Sequence, residues 1–335
     1  HSQEELQREI NSAKKGLANA IKNDQEWSTP MGSYFTAKPQ ASKGKIAFVY
    51  PGGFNSYIGM ARNIFHMFPQ VIDLVSGSSS NLKKMMRTHY VYPETICAPD
   101  NKKIKQLEAE MGEDAIAMFE SGIMTSIVYT KVVQDLLGVQ PNAAFGHSMG
   151  ELSMLFSSGA WSNTDYMSET LHTTATFHHR LVGEMDVVRK AWNLPPSKAG
   201  DKPIWGTYTL RTSAEKAQPV IDQENCEKVR VFLIIINAPN EIVIAGDDEA
   251  CQRVVKKLKW KLFPVPIKDV VHNELVKAEF DALKALHTMP TTKIKGVDFY
   301  TAADYKKTEI KDEVIGHNIA TFYTHMVDFP KLVNQ

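Results

Sequence analysis

Apolar and polar positions follow two rhythms along the chain. Near the amino end Leu6, Ile10, Ala13, Leu17, Ala20 and Ile21 recur at three- and four-residue steps, which sets them on one face of a helix. Ser2 and Glu5 have the spacing of a capping box at its start. Pro30, Gly32 and Pro39 then mark a connector over about 27–43. Lys45-Ile46-Ala47-Phe48-Val49-Tyr50 is a short apolar run that stops at Pro51-Gly52-Gly53 and reads as a buried parallel strand feeding a glycine-rich turn. A helix is expected over 59–75, then polar helices and loops to about 113. Over 115–137 the apolar residues return at helical period, and Gly138 supplies a stop. The short strand Ala143-Ala144-Phe145 follows, then a tight turn, and a helix running to about 158. The segment 161–192 is mostly helical in pattern and ends at Pro195-Pro196, the clearest break in the chain.

Beyond that break the texture changes. Strands are expected over 204–210, 229–236, 242–245 and 261–266, with helices over 213–223 and 247–258, although Pro219 sits inside the first helix. Strand, helix, strand, strand, helix, strand is the order of a ferredoxin-like unit. The fold class is therefore α/β: a large α/β-hydrolase-like subdomain with a parallel sheet, from 45–200 and 267–335, and an inserted small ferredoxin-like subdomain over 201–266. Residues 1–44 form an amino-terminal helix and linker.

Composition narrows the function classes. Thirty-eight basic residues balance 38 acidic ones, so no overall field favours nucleic acid or an anionic membrane. No apolar run approaches the roughly 20 residues of a membrane span, and the polar amino end does not read as a signal peptide. Cys97, Cys226 and Cys251 lie far apart and match no zinc or disulfide spacing. They read as reduced thiols, no metal is expected, and the expected location is cytoplasmic.

The chemistry concentrates at Gly146-His147-Ser148-Met149-Gly150. A Gly-x-Ser-x-Gly turn between strand and helix lets a serine hydroxyl project, because the two glycines remove side chains that would collide there. A serine needs a base to become a nucleophile, and the chain has eleven histidines to offer. His147 adjoins the serine and its side chain points away from the turn; His178 and His179 sit in a polar helical stretch. His272 lies just after the last strand of the small unit, where it reads either as a residue facing the cleft between subdomains or as a surface-loop histidine. Two backbone N–H groups are candidate oxyanion donors: that of Met149, the residue after the serine, and that of Gly53 in the other glycine-rich turn.

Several ordered motifs carry a resemblance. Tyr50-Pro51-Gly52-Gly53-Phe54-Asn55-Ser56, with Gly59-Met60 three residues on, resembles the opening motif of the malonyl/acyl-CoA:acyl-carrier-protein transacylases. Gly146-His147-Ser148-Met149-Gly150-Glu151 matches that family's nucleophile motif. Asn237-Ala238-Pro239 with Val243-Ile244-Ala245-Gly246, and Val327-Asp328-Phe329, resemble two later segments. The stretch 47–57, the serine motif, Val188-Arg189-Lys190-Ala191-Trp192 and the lead-in 27–35 are similar to the acyltransferase of omega-3 polyunsaturated fatty acid synthases.

The resemblance implies an acyltransferase domain that moves an acyl group between a thioester donor and an acyl carrier protein through an acyl-serine. Ser148 and His272 would be catalytic, with a backbone carbonyl near Phe322 or Tyr323 orienting the histidine. Phe54, His147, Arg180 and Asn237 would meet substrate, Asn237 bracing the site. CoA or phosphopantetheine thioesters would be substrates, no cofactor would be bound, and other synthase domains would be neighbours. A thioesterase and a non-catalytic carrier-protein docking domain are the alternatives. One departure bears on substrate. The arginine that pairs with the malonyl carboxylate in malonyl-specific members falls, by ungapped count, on Thr173, and the nearest arginine is Arg180. Either Arg180 reaches the site, or the acyl group has no free carboxylate, and the second reading is preferred because an unpaired buried carboxylate is costly.

Overall fold

The computed structural model describes residues 2–39, 44–93, 99–198, 200–261, 263–265 and 268–335. Cys97 and part of the expected strand 261–266 lie outside them. Two compact units separate, 1–46 and 47–335.

In the first unit the helix Gln3–Lys22 has the expected capping box between Ser2 and Glu5. The expected connector instead contains a small antiparallel hairpin, β1 (Trp27–Ser28) with β2 (Tyr34–Phe35). Its cause is local packing. The Trp27 ring lies so close over Gly16 that a Cβ there would sit 2.1 Å from the indole nitrogen. The Thr29 hydroxyl also donates to the Glu9 carboxylate at 2.5 Å.

The second unit begins with β3 (Ala47–Tyr50), which pairs in parallel with β4 (Ala143–Gly146). Between them the expected helix 59–75 is split into Arg62–Met67 and Val71–Val75. Pro69, which has no N–H to continue a helix, falls in the gap. The helix Ala115–Lys131, continued by a wider turn over Val132–Leu136, matches the sequence periodicity, and Gly138 ends it with φ 71°. By length and composition it could cross a membrane, against the expectation that no run approaches a span. Its residues Ile123, Met124, Ile127 and Val128 are instead buried in the main core with Leu152 and Leu155 of the helix Gly150–Ser157.

The small subdomain contains β5 (Gly206–Leu210), the helix Ala214–Glu224, β6 (Val231–Ala238), β7 (Glu241–Gly246) and the helix Asp248–Lys257. β7 pairs antiparallel with β5 on one side and β6 on the other. The next segment bridges antiparallel to β5 at Tyr208 and Pro264. The order fourth, first, third, second is that of the ferredoxin-like unit. The chain then returns to the large sheet, where β8 (Asp298–Thr301) runs parallel to β4 and β9 (Lys306–Thr308) closes an antiparallel edge, so this sheet is mixed rather than wholly parallel. After the helix Asp312–Tyr323, β10 (Val327–Asp328) pairs in parallel with β6. The carboxy-terminal segment thus ties the inserted sheet to the body.

Candidate active site

Ser148 sits where β4 turns into the helix Gly150–Ser157. Its φ of 54° lies in the left-handed region, a conformation that costs a non-glycine residue about 1–3 kcal/mol and persists only where the surroundings impose it. Here they do. A Cβ on Gly146 would fall 2.0 Å from the Gly150 carbonyl carbon, and one on Gly150 would fall 2.2 Å from the Tyr50 oxygen. The amide of His147 donates to that same Tyr50 oxygen at 2.9 Å, stitching the serine turn to the end of β3. The helix that follows is anchored at its start by the buried Glu151, whose carboxyl accepts from the Ala302 amide at 2.5 Å and the Thr301 hydroxyl at 2.9 Å. Burial pushes that carboxyl up to about 8, against the lowering effect of those two bonds.

His272 comes from the segment after the small subdomain and is fully buried, so the surface-loop alternative is removed. Its Nδ1–H donates to the carbonyl oxygen of Phe322 at 2.9 Å, which leaves the Nε2 lone pair to accept the Ser148 hydroxyl at 2.7 Å. The Phe322 oxygen is available for a physical reason: it lies in the last turn of the helix Asp312–Tyr323, where carbonyls have no intrahelical donor. The negative end of the helix dipole there also favours a positive charge on the imidazole. Tyr323 stacks on the ring at a centroid distance of 6.0 Å. Burial drives the imidazole down to about 4, offset in part by its bond to Phe322, so it is neutral near pH 7. His272 itself has φ 56° and Phe54 φ 64°, so three residues of one cavity carry left-handed backbone.

Gly53 and Met149 face each other across the opening of the serine turn; a Cβ on Gly53 would lie 3.7 Å from the Met149 sulfur. Neither amide donates to a protein acceptor among the described residues. The cavity over Ser148 holds about 70 Å³ and is lined mostly by apolar side chains, among them Phe54, Ile116, Phe119, Leu171 and Phe177. Among the described residues no group of three or more His, Cys, Asp or Glu could hold a metal.

Of the residues expected to meet substrate, only Phe54 lines this cavity. Arg180 is a correction. Its guanidinium donates to both oxygens of the buried Glu279 at 3.2 Å, and Thr176 adds a third bond to that carboxylate at 3.0 Å. The charge is thus spent beside the cavity rather than inside it. His147 and Asn237 also stand outside the lining. They bond to each other, Nε2 to Oδ1 at 3.0 Å, with the His147 ring edge-on to Phe329. This pair joins the serine turn to β6 of the small subdomain and braces the site without reaching into it.

No family model matches the chain. It is 26% identical over 341 residues to one subunit of the polyunsaturated fatty acid synthase of Thraustochytrium sp., covering 98% of this chain and 16% of that protein. It is 24% identical over 285 residues to the malonyl CoA-acyl carrier protein transacylase of Bacillus subtilis, covering 81% of this chain and 78% of the relative. In sequence the chain is thus similar to a malonyl CoA-acyl carrier protein transacylase. Its fold agrees. A malonyl-transacylase solved in complex with a type II polyketide synthase acyl-carrier protein superposes with a TM-score of 0.65 at 17% identity, covering 87% of this chain and 84% of that one. The chain thus has the α/β fold and the sequence kinship of an acyltransferase, and it spans about one sixth of the length of the synthase protein it matches.

Two carboxyls near the site gave little sign of themselves in the sequence, the buried Glu151 and the partly buried Asp269 at the cavity edge. Glu151 was visible only as the last letter of the serine motif. Asp269 gave no signal at all, because a lone aspartate after a strand normally reads as a solvated turn residue.

Proposed function

We propose that the chain is the acyltransferase domain of a polyunsaturated fatty acid synthase and moves an acyl group between a CoA or carrier-protein thioester and the phosphopantetheine thiol of an acyl carrier protein. The observation that carries this is the Ser148–His272 pair at 2.7 Å, with His272 held in one tautomer by Phe322. His272 Nε2 takes the Ser148 proton as Oγ attacks the thioester carbonyl. The amides of Gly53 and Met149 hold the resulting oxyanion. The tetrahedral adduct collapses, the carbon–sulfur bond breaks, and the imidazolium returns its proton to the departing thiolate. An incoming thiol then gives its proton to His272 and attacks the acyl-serine, and the same steps run backwards. A backbone carbonyl suffices in place of an acid as the third member, because it fixes the tautomer while the helix end stabilises the transient cation.

Transfer is favoured over hydrolysis by the apolar lining of the cavity, which offers a water molecule few partners. With an acyl-CoA and a phosphopantetheinylated carrier protein, acylated carrier protein is the expected main product from wild type, and none is expected from Ser148→Ala. Free acid as the main product, with carrier protein left unacylated, would make the domain a thioesterase instead.

A further inference from the structure

A second cavity, of about 450 Å³, lies beside the serine turn between β3 and the helix Ala115–Lys131, and no step of the acyl transfer described above uses it. Phe48, Val49, Tyr57, Met60, Tyr129 and Val133 are in its lining, and among the described residues no charged side chain is. Val49, Tyr57 and Tyr129 leave apolar surface open to solvent at its rim. Two of its hydroxyls are already spent, Ser126 on the Gly122 carbonyl at 2.9 Å and Thr130 on the Tyr50 hydroxyl at 3.2 Å, so an apolar occupant loses nothing at them. The size falls within the roughly 300–1,000 Å³ of ordinary ligand sites, whereas the cavity over Ser148 holds only about 70 Å³. The two cavities share one residue, Met149, and at that point a single side chain separates them. A Cβ on Gly122 would fall 2.8 Å from the Met149 methyl carbon, and one on Gly53 would fall 3.7 Å from its sulfur. Glycine is unfavourable in mid-helix relative to alanine, and Gly122 makes the room that this thioether occupies. The methionine side chain is unbranched and turns about three bonds, so it can leave that position without moving backbone.

We propose that this second cavity is a binding site for the apolar tail of a long, uncharged acyl chain carried on Ser148, reached when the Met149 side chain swings aside. This rests on the acyl-transfer reading given above. The physical reason is burial of methylenes. About 70 Å³ over Ser148 leaves the far end of a long chain without cover, and each methylene left in water forgoes hydrophobic stabilisation. The cavity beyond Met149 offers apolar volume with no charge to desolvate. The Ser121 and Ser56 hydroxyls bond to each other at 2.8 Å and hold the glycine-rich turn to the helix, so the seat stays formed when the methionine moves.

The test compares initial rates of Ser148 acylation by butyryl-CoA and by palmitoyl-CoA below its micellar concentration, read by intact-protein mass, for wild type, Ser126→Phe and Val133→Trp. Both substitutions fill the second cavity from its helix side, and neither residue lines the cavity over Ser148. Thermal melts show which variants fold. Wild type is expected to accept palmitoyl at least as fast as butyryl. Each folded variant is expected to lose about tenfold or more of the palmitoyl rate while its butyryl rate stays within about twofold. A wild type that accepts butyryl but not palmitoyl, or a folded variant that slows both esters equally or neither, overturns the inference. A second measurement needs no variant. A fluorophosphonate with a hexadecyl tail ending in a diazirine is attached to Ser148 of wild type and irradiated. Cross-links to peptides within 47–60 or 122–133 are expected, and cross-links confined to other peptides overturn the site. If neither CoA ester acylates Ser148, the acyl-transfer reading fails separately, and the cross-link alone decides where the tail lies.

Discussion

At the residue scale the site depends on one imidazole being neutral, correctly oriented and in contact with one hydroxyl. All three follow from where His272 is buried. The Phe322 carbonyl fixes the proton on Nδ1, and Nε2 meets Ser148. His272→Ala should lower the acylation rate by about 10²–10⁴, the range of general-base contributions, while leaving the melting temperature of the chain above assay temperature. An unchanged rate in stopped-flow acylation would remove His272 from the reaction. The pH dependence has a definite sign. Only the neutral imidazole can accept the serine proton, and burial holds it near 4. Acylation should therefore be lost as pH falls through about 4 and should show no titration near 6.5, the region of an ordinary histidine. A rate that halves near 6.5 would mean that His272 is far better solvated than its position implies.

At the element scale the reacting pair is delivered by two tight turns and one helix end. The glycines of the serine turn have no room for a methyl group, since the blocking atoms are backbone of Gly150 and Tyr50 rather than movable side chains. Gly146→Ala should cost at least about 3 kcal/mol of stability, above the range of ordinary overpacking, measured as a shift in the denaturant midpoint. A loss under about 1 kcal/mol would show that the turn relaxes more easily than its contacts suggest. The turns were legible in the sequence because glycine and proline mark them directly, and Ser148, Gly53 and Met149 were expected from them, whereas His272 was singled out among eleven histidines only by the resemblance. The ferredoxin-like insert was legible from alternating β-branched runs. The hairpin β1–β2 and strands β8 and β9 were not. They are short, and pairing partners rather than local periodicity decide them. Arg180 was misplaced for a related reason: nothing in the sequence signals that Glu279, about a hundred positions away, takes up its charge.

At the scale of the whole molecule, two buried histidines, the buried carboxyl of Glu151 and the partly buried one of Asp269 couple the fold to pH in opposite senses. His272 and His287 are both held near 4 by burial. The unfolded chain binds protons on them below about 6.5 that the fold does not, so their contribution to stability is present above 6.5 and is lost as pH falls towards 4. Glu151 and Asp269 are raised to about 8 and about 7. The fold keeps protons that the unfolded chain releases, so this contribution is present at acid pH and is lost as pH rises from the ordinary carboxylate range towards 8. The two effects oppose each other between about 4.5 and 6.5, and above 6.5 only the carboxyls of this set act. Wild type should therefore lose on the order of 2 kcal/mol more than Glu151→Gln between pH 6.5 and 8, read from urea unfolding at each pH. Equal slopes would mean that Glu151 is ionised in the fold.

The same burial that shapes these slopes leaves a mostly apolar pocket over Ser148, where an acyl group is expected to become bound covalently. The most direct measurement is the intact mass of the protein after brief exposure to butyryl-CoA, followed by peptide mapping. The expected result is a butyryl mass increment on the peptide containing Ser148 that disappears when carrier-protein thiol is added and is absent from Ser148→Ala. An increment on another residue, or transfer to carrier protein by the Ser148→Ala variant at the wild-type rate, would contradict it.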